Sequence, residues 1–304
     1  MINVTSIYSN KTEVSNDGLT SQNMRILFLT VIFPSFCLYL LSVIAILSVF
    51  FTTTHIRENV RYLLFSHMLI SDSIKLSLCF VLLILAIYLV FMPVKYCSII
   101  TAFSATTTLI TPYNLALMSL ERYIAVCFPL RHGEICTVWR CNMAIIVIWV
   151  IGAFPVLTEF VFLCYFVDSS FFSFKLVCIW KYLQIYNFQI TIRFLTVSLS
   201  FSLVLLTIFY TYVRVMLVAR KIGSRKSSAS KAAKTVSLHA FQLLLCLCSY
   251  SSTFTETLFN KQYVYMAVIN FFLFTCLPLY ISPFIYGIRD EVIRQCIRKF
   301  ICST

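Results

Sequence analysis

Long apolar segments constrain the fold of this chain more than any other feature. A helix needs about 20 apolar residues to cross the hydrocarbon core of a membrane, and seven stretches of the sequence meet that length with few charges. The predicted spans are residues 26–51, 62–91, 96–127, 141–165, 189–219, 233–258 and 262–287. Strands of a membrane β-barrel alternate over about 10 residues, whereas these runs are continuous. The sequence therefore predicts an all-α membrane protein with a seven-transmembrane helix bundle over residues 26–287.

The composition excludes a water-soluble globule. Apolar residue types make up 60% of the 304 residues, charged types make up 12%, and the mean hydropathy is +0.91. Such values are typical of membrane proteins. No internal repeat of the kind that transporters use is evident, and the loops are too short for a soluble domain.

The basic residues predict the orientation of the bundle. If the spans alternate in direction, the segments after spans one, three and five share a side with the C-terminal tail. That side holds most of the 24 Lys and Arg residues. Because basic loops stay in the cytoplasm, residues 1–25 are predicted to be extracellular and residues 288–304 cytoplasmic in a plasma-membrane protein. Sequons at Asn3 and Asn10 agree with an exterior, glycosylated N-terminus.

The C-terminal segment after the last span is predicted to be a short amphipathic helix. Apolar residues from Val292 to Phe300 recur at helical spacing with bases between them. A helix of this pattern lies on the inner membrane surface and contacts lipid. Cys302 is a candidate for palmitoylation.

The inner end of span three carries the most specific motif. Residues 118–132 are Met-Ser-Leu-Glu-Arg-Tyr-Ile-Ala-Val-Cys-Phe-Pro-Leu-Arg-His. An isolated Glu-Arg pair at a helix end would be only a solvated ion pair. The whole stretch, however, resembles the M-A-x-[DE]-R-Y-x-A-I-C-x-P-L pattern of the olfactory receptors, a branch of the class A (rhodopsin-like) G-protein-coupled receptors, in a form similar to fish-type odorant receptors. The resemblance implies that Glu121, Arg122 and Tyr123 form a switch that meets a heterotrimeric G protein.

Spans five, six and seven carry further elements of the olfactory pattern. The sequence T-Y-V-R-V around Tyr212 resembles the S-Y-x-x-I element, and K-A-A-K-T-V-S-L-H, which ends at His239, resembles K-A-x-x-T-x-x-x-H. Span seven closes with S-P-F-I-Y, which resembles the family's N-P-x-x-Y element with Ser282 in place of Asn. The resemblance adds Tyr212, His239, Pro283 and Tyr286 to the coupling switch. Pro283 is predicted to kink the span because proline lacks a backbone N–H.

A ligand pocket is predicted on the face of span three that carries Arg122. Ser104, Thr108 and Thr111 precede Arg122 by 18, 14 and 11 residues, which puts them within about 40° of the same helical face. A polar stripe in a membrane helix faces the bundle interior, where ligand contact and interhelical hydrogen bonding are equally compatible with it. We predict Thr111 in the packed core. The predicted pocket is Ser104, Ala105, Thr108, Arg193, Tyr250, Phe254 and Phe272.

Three charged residues lie near the outer membrane boundary. They are Glu159, Arg193 and Glu256. Ionisable residues inside a membrane are candidates for function. Arg193 therefore either contacts ligand or pairs with Glu256 on the neighbouring span.

The resemblance implies a disulfide at the outer face. Cys97 stands 25 residues before Arg122, which is the family's spacing for a cysteine bonded to the second outer loop. Cys178 is the expected partner in an oxidising environment. Cys164 is the alternative, at the end of span four.

Span two departs from the family pattern. Asp72 stands where the superfamily usually has a carboxylate that holds sodium, but Lys75 lies one turn away on the same side of the helix. We predict an internal ion pair between Asp72 and Lys75 in place of a sodium site. Sodium dependence of basal signalling would count against it.

The resemblance implies an odorant receptor that binds a small extracellular molecule and raises cyclic AMP through a stimulatory olfactory G protein. A class A receptor for another messenger is the first alternative, and a transporter or channel that uses the intramembrane charges is the second. No enzymatic activity, cofactor, metal or nucleic-acid partner is expected, because the four His form no metal-spaced cluster and no nucleophile motif is present.

Overall fold

The structure of the chain is a computed structural model. It describes residues 22, 25–178, 187–221, 237, 241, 244 and 271–283. Within these residues the chain is almost entirely helical. The elements are a π-helical turn (Phe28–Ile32), α1 (Phe33–Thr52), α2 (Thr54–Arg57), α3 (Val60–Ile87), β1 (Phe91–Pro93), α4 (Val94–Cys127), α5 (His132–Ile135), α6 (Val138–Phe166), a 3-10 turn (Ser169–Ser173), β2 (Lys175–Val177), α7 (Asn187–Lys221), a second π-helical segment (Phe271–Cys276) and α8 (Leu277–Pro283).

Each of the first five predicted spans overlaps one long helix. Four helices of the described part are long and apolar enough to cross a membrane. They are Arg25–Thr52, Val60–Ile87, Val138–Phe166 and Gln189–Val218. The protein is therefore a helical membrane protein. Most of the sixth and seventh spans and the whole amphipathic C-terminal helix fall outside the described residues, so the count of seven stays a prediction.

The helix that matches span three, α4, is long but polar. Its 34 residues extend about 51 Å at 1.5 Å per residue, and its hydroxyl-bearing and amide side chains Ser104, Thr107, Thr111 and Asn114 are buried. Hydroxyl side chains in a membrane helix are tolerated where they face other helices. Accordingly, α4 packs against α3, α6 and α7 and forms the centre of the bundle.

The contact between α4 and α6 depends on a glycine. A Cβ atom added to Gly152 would lie 3.1 Å from Cγ1 of Ile110. That distance is tighter than ordinary packing, so a side chain at this position would push the two helices apart. Gly152 therefore permits their close approach.

The outer surface of the bundle is apolar. Large hydrophobic side chains such as Trp139, Phe154 and Leu199 are 70%, 68% and 73% exposed. An exposed apolar surface of this extent is expected only where lipid covers it. The polar residues point inward, which is the inverse of a soluble helical bundle.

The outer end of α3 differs from the predicted span. We expected a helix to residue 91, but α3 ends at Ile87, and Leu89 adopts a positive φ of 49°. A left-handed residue stops a helix. The chain then forms β1, which pairs antiparallel with β2 so that Phe91 lies opposite Val177. This small sheet lies beside the start of α4 and fixes the second outer loop.

Candidate functional site

Helix α4 connects the loop that carries β2, the polar interior of the bundle and the predicted coupling residues. At its outer end, Cys97 and Cys178 form a disulfide with an S–S distance of 2.08 Å. Both cysteines are buried with Val94, whereas Cys164 has no disulfide and is exposed. The predicted pairing is confirmed, and it ties β2 to the mouth of the bundle.

The predicted pocket residues of α4 lie below this disulfide. Ser104 is buried, while Ala105 and Thr108 are half-buried. The hydroxyl of Ser104 lies 3.6 Å from the sulfur of Cys79 on α3. The hydroxyl of Thr108 donates to the Ser104 carbonyl oxygen at 2.9 Å, so its bond satisfies the helix backbone. Both interhelical contact and local bonding therefore occur along the polar stripe.

The remaining pocket residues are only partly described. Phe272 is half-buried and packs in an aromatic cluster with Phe28, Phe36 and Phe80, and its ring centroid lies 6.4 Å from that of Tyr280. The structure thus brings Phe272 to α1 and α3. Tyr250 and Phe254 lie outside the described residues. Their place in the pocket stays a prediction.

Arg193 forms an ion pair that we did not predict. Its Nη1 atom lies 3.5 Å from Oε2 of Glu159, and both side chains are mostly buried, at 20% and 17% exposure. The pair links α7 to α6. Glu256, the partner considered from the sequence, lies outside the described residues.

The buried acid of α3 has a hydroxyl donor from α4. Thr111 donates to Oδ1 of Asp72 at 2.9 Å, and both side chains are fully buried. This contact places Thr111 in the packed core, as predicted. Lys75 is also buried, yet the ion pairs within 4.0 Å among the described residues do not include one between Asp72 and Lys75. The predicted internal pair stays a prediction.

A chain of hydrogen bonds joins α6, α3 and α4 one turn further inward. Trp149 Nε1 donates to His67 Nε2 at 3.0 Å, and His67 Nδ1 lies 3.0 Å from Asn114 Oδ1. Because indole N–H only donates, His67 accepts at Nε2 and must carry its hydrogen on Nδ1, which it donates to Asn114. The Asn114 amide donates in turn to Ser71 at 3.1 Å. A neutral His67 therefore fits the donor-to-acceptor order of all three hydrogen bonds. Residue spacing along the chain did not predict this network.

The predicted coupling residues lie at the inner end of α4. Glu121 is buried, its Oε2 lies 3.6 Å from Arg122 Nε, and its Oε1 lies 3.3 Å from Nε2 of His132. The turn after α4 brings His132, at the start of α5, back onto the carboxylate. Glu121 is therefore held by two partners, of which the sequence predicted one.

Tyr123 packs against α7. Its ring centroid lies 5.8 Å from that of Tyr210 and 5.7 Å from that of Phe128, and it joins Met216 around the buried Val215. Of the other residues assigned to the switch, Tyr212 is exposed on α7 and Pro283 is buried at the end of α8. His239 and Tyr286 lie outside the described residues, as do the predicted glycosylation sites Asn3 and Asn10 and the candidate palmitoylation site Cys302.

The loop between α5 and α6 brings a thiol close to the switch. Burial raises the pKa of the Cys136 thiol, and the negative charge of Glu121 raises it further. Cys136 is only half-buried. The reactivity of the Cys136 thiol should therefore depend on the charge of Glu121.

Comparison with known proteins gives one family and several receptors. Residues 23–286 match the family of 7 transmembrane receptors (rhodopsin family). The chain is 27% identical to Odorant receptor 131-2 of Danio rerio over 77% of this chain and 74% of that receptor. It is 24% identical to Olfactory receptor 1 of Rattus norvegicus over 63% of this chain and 62% of that protein. With Olfactory receptor 4K3 of Homo sapiens the identity is 29%, over 60% of this chain and 58% of the human protein. The match covers less than two thirds of these two mammalian relatives.

Proposed function

The chain belongs to the rhodopsin family of seven-transmembrane receptors and is a class A receptor of the olfactory type, and from this premise we propose that it is an odorant receptor. Members of this family are receptors, not enzymes. In the proposed function, a small extracellular molecule binds within the bundle and activates a heterotrimeric G protein. The stimulatory olfactory type, which raises cyclic AMP, is the proposed partner.

One observation carries this proposal: the buried Glu121 at the inner end of α4 holds Arg122 at 3.6 Å. A buried carboxylate is costly unless it is paired. The arrangement can therefore exist in two states, one in which the carboxylate holds the arginine and one in which the arginine is released to a cytoplasmic partner. Ligand that binds the second state more tightly shifts the population toward it.

The route from ligand to switch follows α4. The proposed pocket at Ser104 and Thr108 lies on the same helix as the switch, and Tyr123 contacts α7 through Tyr210. A displacement of α7 against α4 would change this contact and open a cytoplasmic cleft. We assign Tyr212, His239, Pro283 and Tyr286 to this movement on the strength of the olfactory pattern.

The topology that goes with this function has seven spans over residues 26–287. We propose an extracellular, glycosylated N-terminus over residues 1–25 and a cytoplasmic amphipathic helix over residues 288–304. The basic bias of the inner loops supports this orientation. We also propose that, while no ligand is bound, the charge of Lys75 takes the place of sodium near Asp72, so that basal signalling should be unchanged when sodium is replaced by a large organic cation.

The test is functional expression with a stimulatory olfactory G protein. Cells that express the chain are exposed to a diverse panel of odorants, amines, amino acids and steroids, and cyclic AMP is measured. Arg122→Ala should abolish every response at equal surface expression, while Arg57→Ala, which removes an exposed cytoplasmic arginine, should leave the responses intact. Responses restricted to a non-odorant messenger would contradict the odorant assignment. A transmembrane current that survives Arg122→Ala would support a transporter or channel instead.

A further inference from the structure

The position of Lys75 in the bundle can be fixed from two contacts between α3 and α4. Cys79 contacts Ser104 at 3.6 Å, and Asp72 accepts from Thr111 at 2.9 Å. The two helices are antiparallel, and each contact pair is separated from the other by seven residues on both helices. Lys75, four residues before Cys79, is therefore level with the residue four positions after Ser104. That residue is Thr108, in the proposed ligand pocket.

This level is deep in the membrane but on the ligand side of the switch. Thr108 follows the outer disulfide cysteine Cys97 by eleven residues, or about 16 Å along the helix. It precedes Arg122 by fourteen residues, or about 21 Å. An ammonium group this deep in a hydrocarbon core about 30 Å thick is costly, and such groups mark ligand or ion sites.

Polar side chains of α3, α4 and the Phe271–Pro283 segment lie near this level, and each of them can donate a hydrogen bond. We call them the Lys75 cluster, which consists of Lys75, Cys79, Ser104, Cys276 and Tyr280. Cys276 on the segment before α8 interacts electrostatically with both Lys75 and Cys79. The hydroxyl of Tyr280 lies 3.2 Å from that of Ser35 on α1. The ammonium can only donate, whereas the serine hydroxyl, the phenol and the thiols can both donate and accept. The ligand group that complements the ammonium is therefore one that accepts hydrogen bonds.

Two other cations of the described helices, Arg193 and Arg122, contact carboxylates. Arg193 lies 3.5 Å from Glu159, and Arg122 lies 3.6 Å from Glu121. Lys75 is more deeply buried than either arginine, at 6% exposure. The charge of Asp72 acts on Lys75 from a distance, but Asp72 accepts from Thr111 and the two charged groups do not approach within 4.0 Å. A ligand that brings its own negative charge would compensate the ammonium where it lies.

We propose that Lys75 binds the carboxylate of an organic-acid ligand and thereby determines which odorants this receptor accepts. The proposal rests on the proposed function, because it names the ligand class of that same pocket. The carboxylate would accept from the ammonium of Lys75 and the hydroxyl of Ser104, and the apolar part of the ligand would extend toward the outer loop. Hydrogen bonds between ionised groups are about twice as strong as neutral ones. Removal of the Lys75 charge should therefore weaken the binding of acids more than that of neutral analogues.

The test compares one carbon skeleton with different head groups. Octanoic acid, octanol, methyl octanoate and octylamine, with the same four derivatives of a branched and an aromatic skeleton, are applied to the wild type and to Lys75→Met, Lys75→Arg and Lys95→Met. Cyclic AMP gives the activity, and ligand-induced thermal stabilisation of the purified receptor gives binding without signalling. Lys95→Met is the matched control, because it removes a lysine at the outer face, where the ammonium lies over the Tyr96 ring.

The expected result is a preference for acids that depends on Lys75. For at least one carbon skeleton, the acid concentration that stabilises the wild type should be about tenfold or more lower than the concentrations of the ester and the alcohol that give the same stabilisation. Lys75→Met should remove this preference without weakening the neutral analogues. Lys75→Arg should retain part of it, and Lys95→Met should retain all of it.

Three outcomes would overturn the proposal, and they are distinguishable from failure of the proposed function. Activation by alcohols or esters without binding of any acid would refute the carboxylate site but leave the odorant receptor intact. Equal losses for acids and neutral analogues in Lys75→Met would show that Lys75 only supports the fold. If none of the acids stabilises the wild type, the carboxylate site is absent, whatever the signalling assay shows. A receptor that is activated by no odorant but is stabilised by acids through Lys75 would retain the site and lose the odorant assignment.

Discussion

Replacement of Glu121 by Gln should raise basal signalling. The substitution keeps the shape of the side chain but removes the charge that contacts Arg122 at 3.6 Å and His132 at 3.3 Å. Two unit charges at 3.6 Å attract by about 5 kcal/mol at an effective dielectric constant of about 20. Most of this attraction offsets the cost of burying the carboxylate, which leaves a net contribution of about 1–2 kcal/mol to the inactive state. That difference changes the ratio of active to inactive receptor about 5- to 30-fold.

The assay is ligand-free cyclic AMP in cells that express a stimulatory G protein, divided by the amount of receptor at the surface. Glu58→Gln is the matched control, because Glu58 is exposed at the C-terminal end of α2. His132→Phe should raise the basal signal by a smaller factor, since Arg122 still holds the carboxylate. The double variant should resemble Glu121→Gln alone, because both substitutions act on one carboxylate. A basal signal equal to that of Glu58→Gln, with odorant responses preserved, would refute the switch.

Three other predictions test the frame around the switch. Gly152→Ala should lower the thermal unfolding temperature of the detergent-solubilised receptor, because the added methyl group would lie 3.1 Å from a side-chain carbon of α4 and overpacking costs about 1–3 kcal/mol. Gly133→Ala is the control, since nothing lies within 4 Å of the new Cβ, and it should leave the unfolding temperature unchanged. Cys97→Ser should reduce surface expression, measured by flow cytometry, because it removes a disulfide that stabilises the fold by about 2–4 kcal/mol. Cys164→Ser should leave surface expression unchanged, and equal losses in the two variants would contradict the Cys97–Cys178 pairing. The raised pKa of Cys136 keeps the thiol protonated at neutral pH, so maleimide labelling of Cys136 in inside-out vesicles should be slow and should accelerate as the pH rises. At a given pH, labelling should be faster in Glu121→Gln, because the substitution removes the negative charge that raises the pKa of the thiol. Mass spectrometry of the peptide that contains Cys136 measures these rates.

The long helices could be predicted from the sequence because the membrane leaves few alternatives. Backbone groups in hydrocarbon must bond internally, so a long apolar run is almost always a helix. The predicted starts and ends of spans one, three, four and five lie within a few residues of the observed helices. The disulfide could be predicted from the family resemblance, because a fixed number of residues on one rigid helix separates Cys97 from Arg122.

Contacts between distant residues could not be predicted in the same way. His132 meets Glu121 only because the turn after α4 reverses the chain, and helical spacing carries no information across such a turn. The contact of Arg193 with Glu159 depends on how α6 and α7 rotate about their axes. Leu89 ends α3 with a backbone conformation that its residue type disfavours, so no stop signal was visible there.

Among the five long helices of the described residues, α4, which carries the candidate site, is the one without a stretch apolar enough to count as a membrane span, and this follows from its place in the bundle. A helix at the centre faces protein on most sides and gains less from apolar residues, because lipid covers only a small part of it. It can therefore accumulate hydroxyl and amide groups, of which Thr111 bonds an acid and Asn114 bonds a histidine on α3. In the proposed pocket, the same polarity would give a ligand's polar group a hydrogen-bond partner at the level of Ser104. Low hydropathy in one span among apolar neighbours is thus evidence for both centrality and function, and in this chain it points to α4.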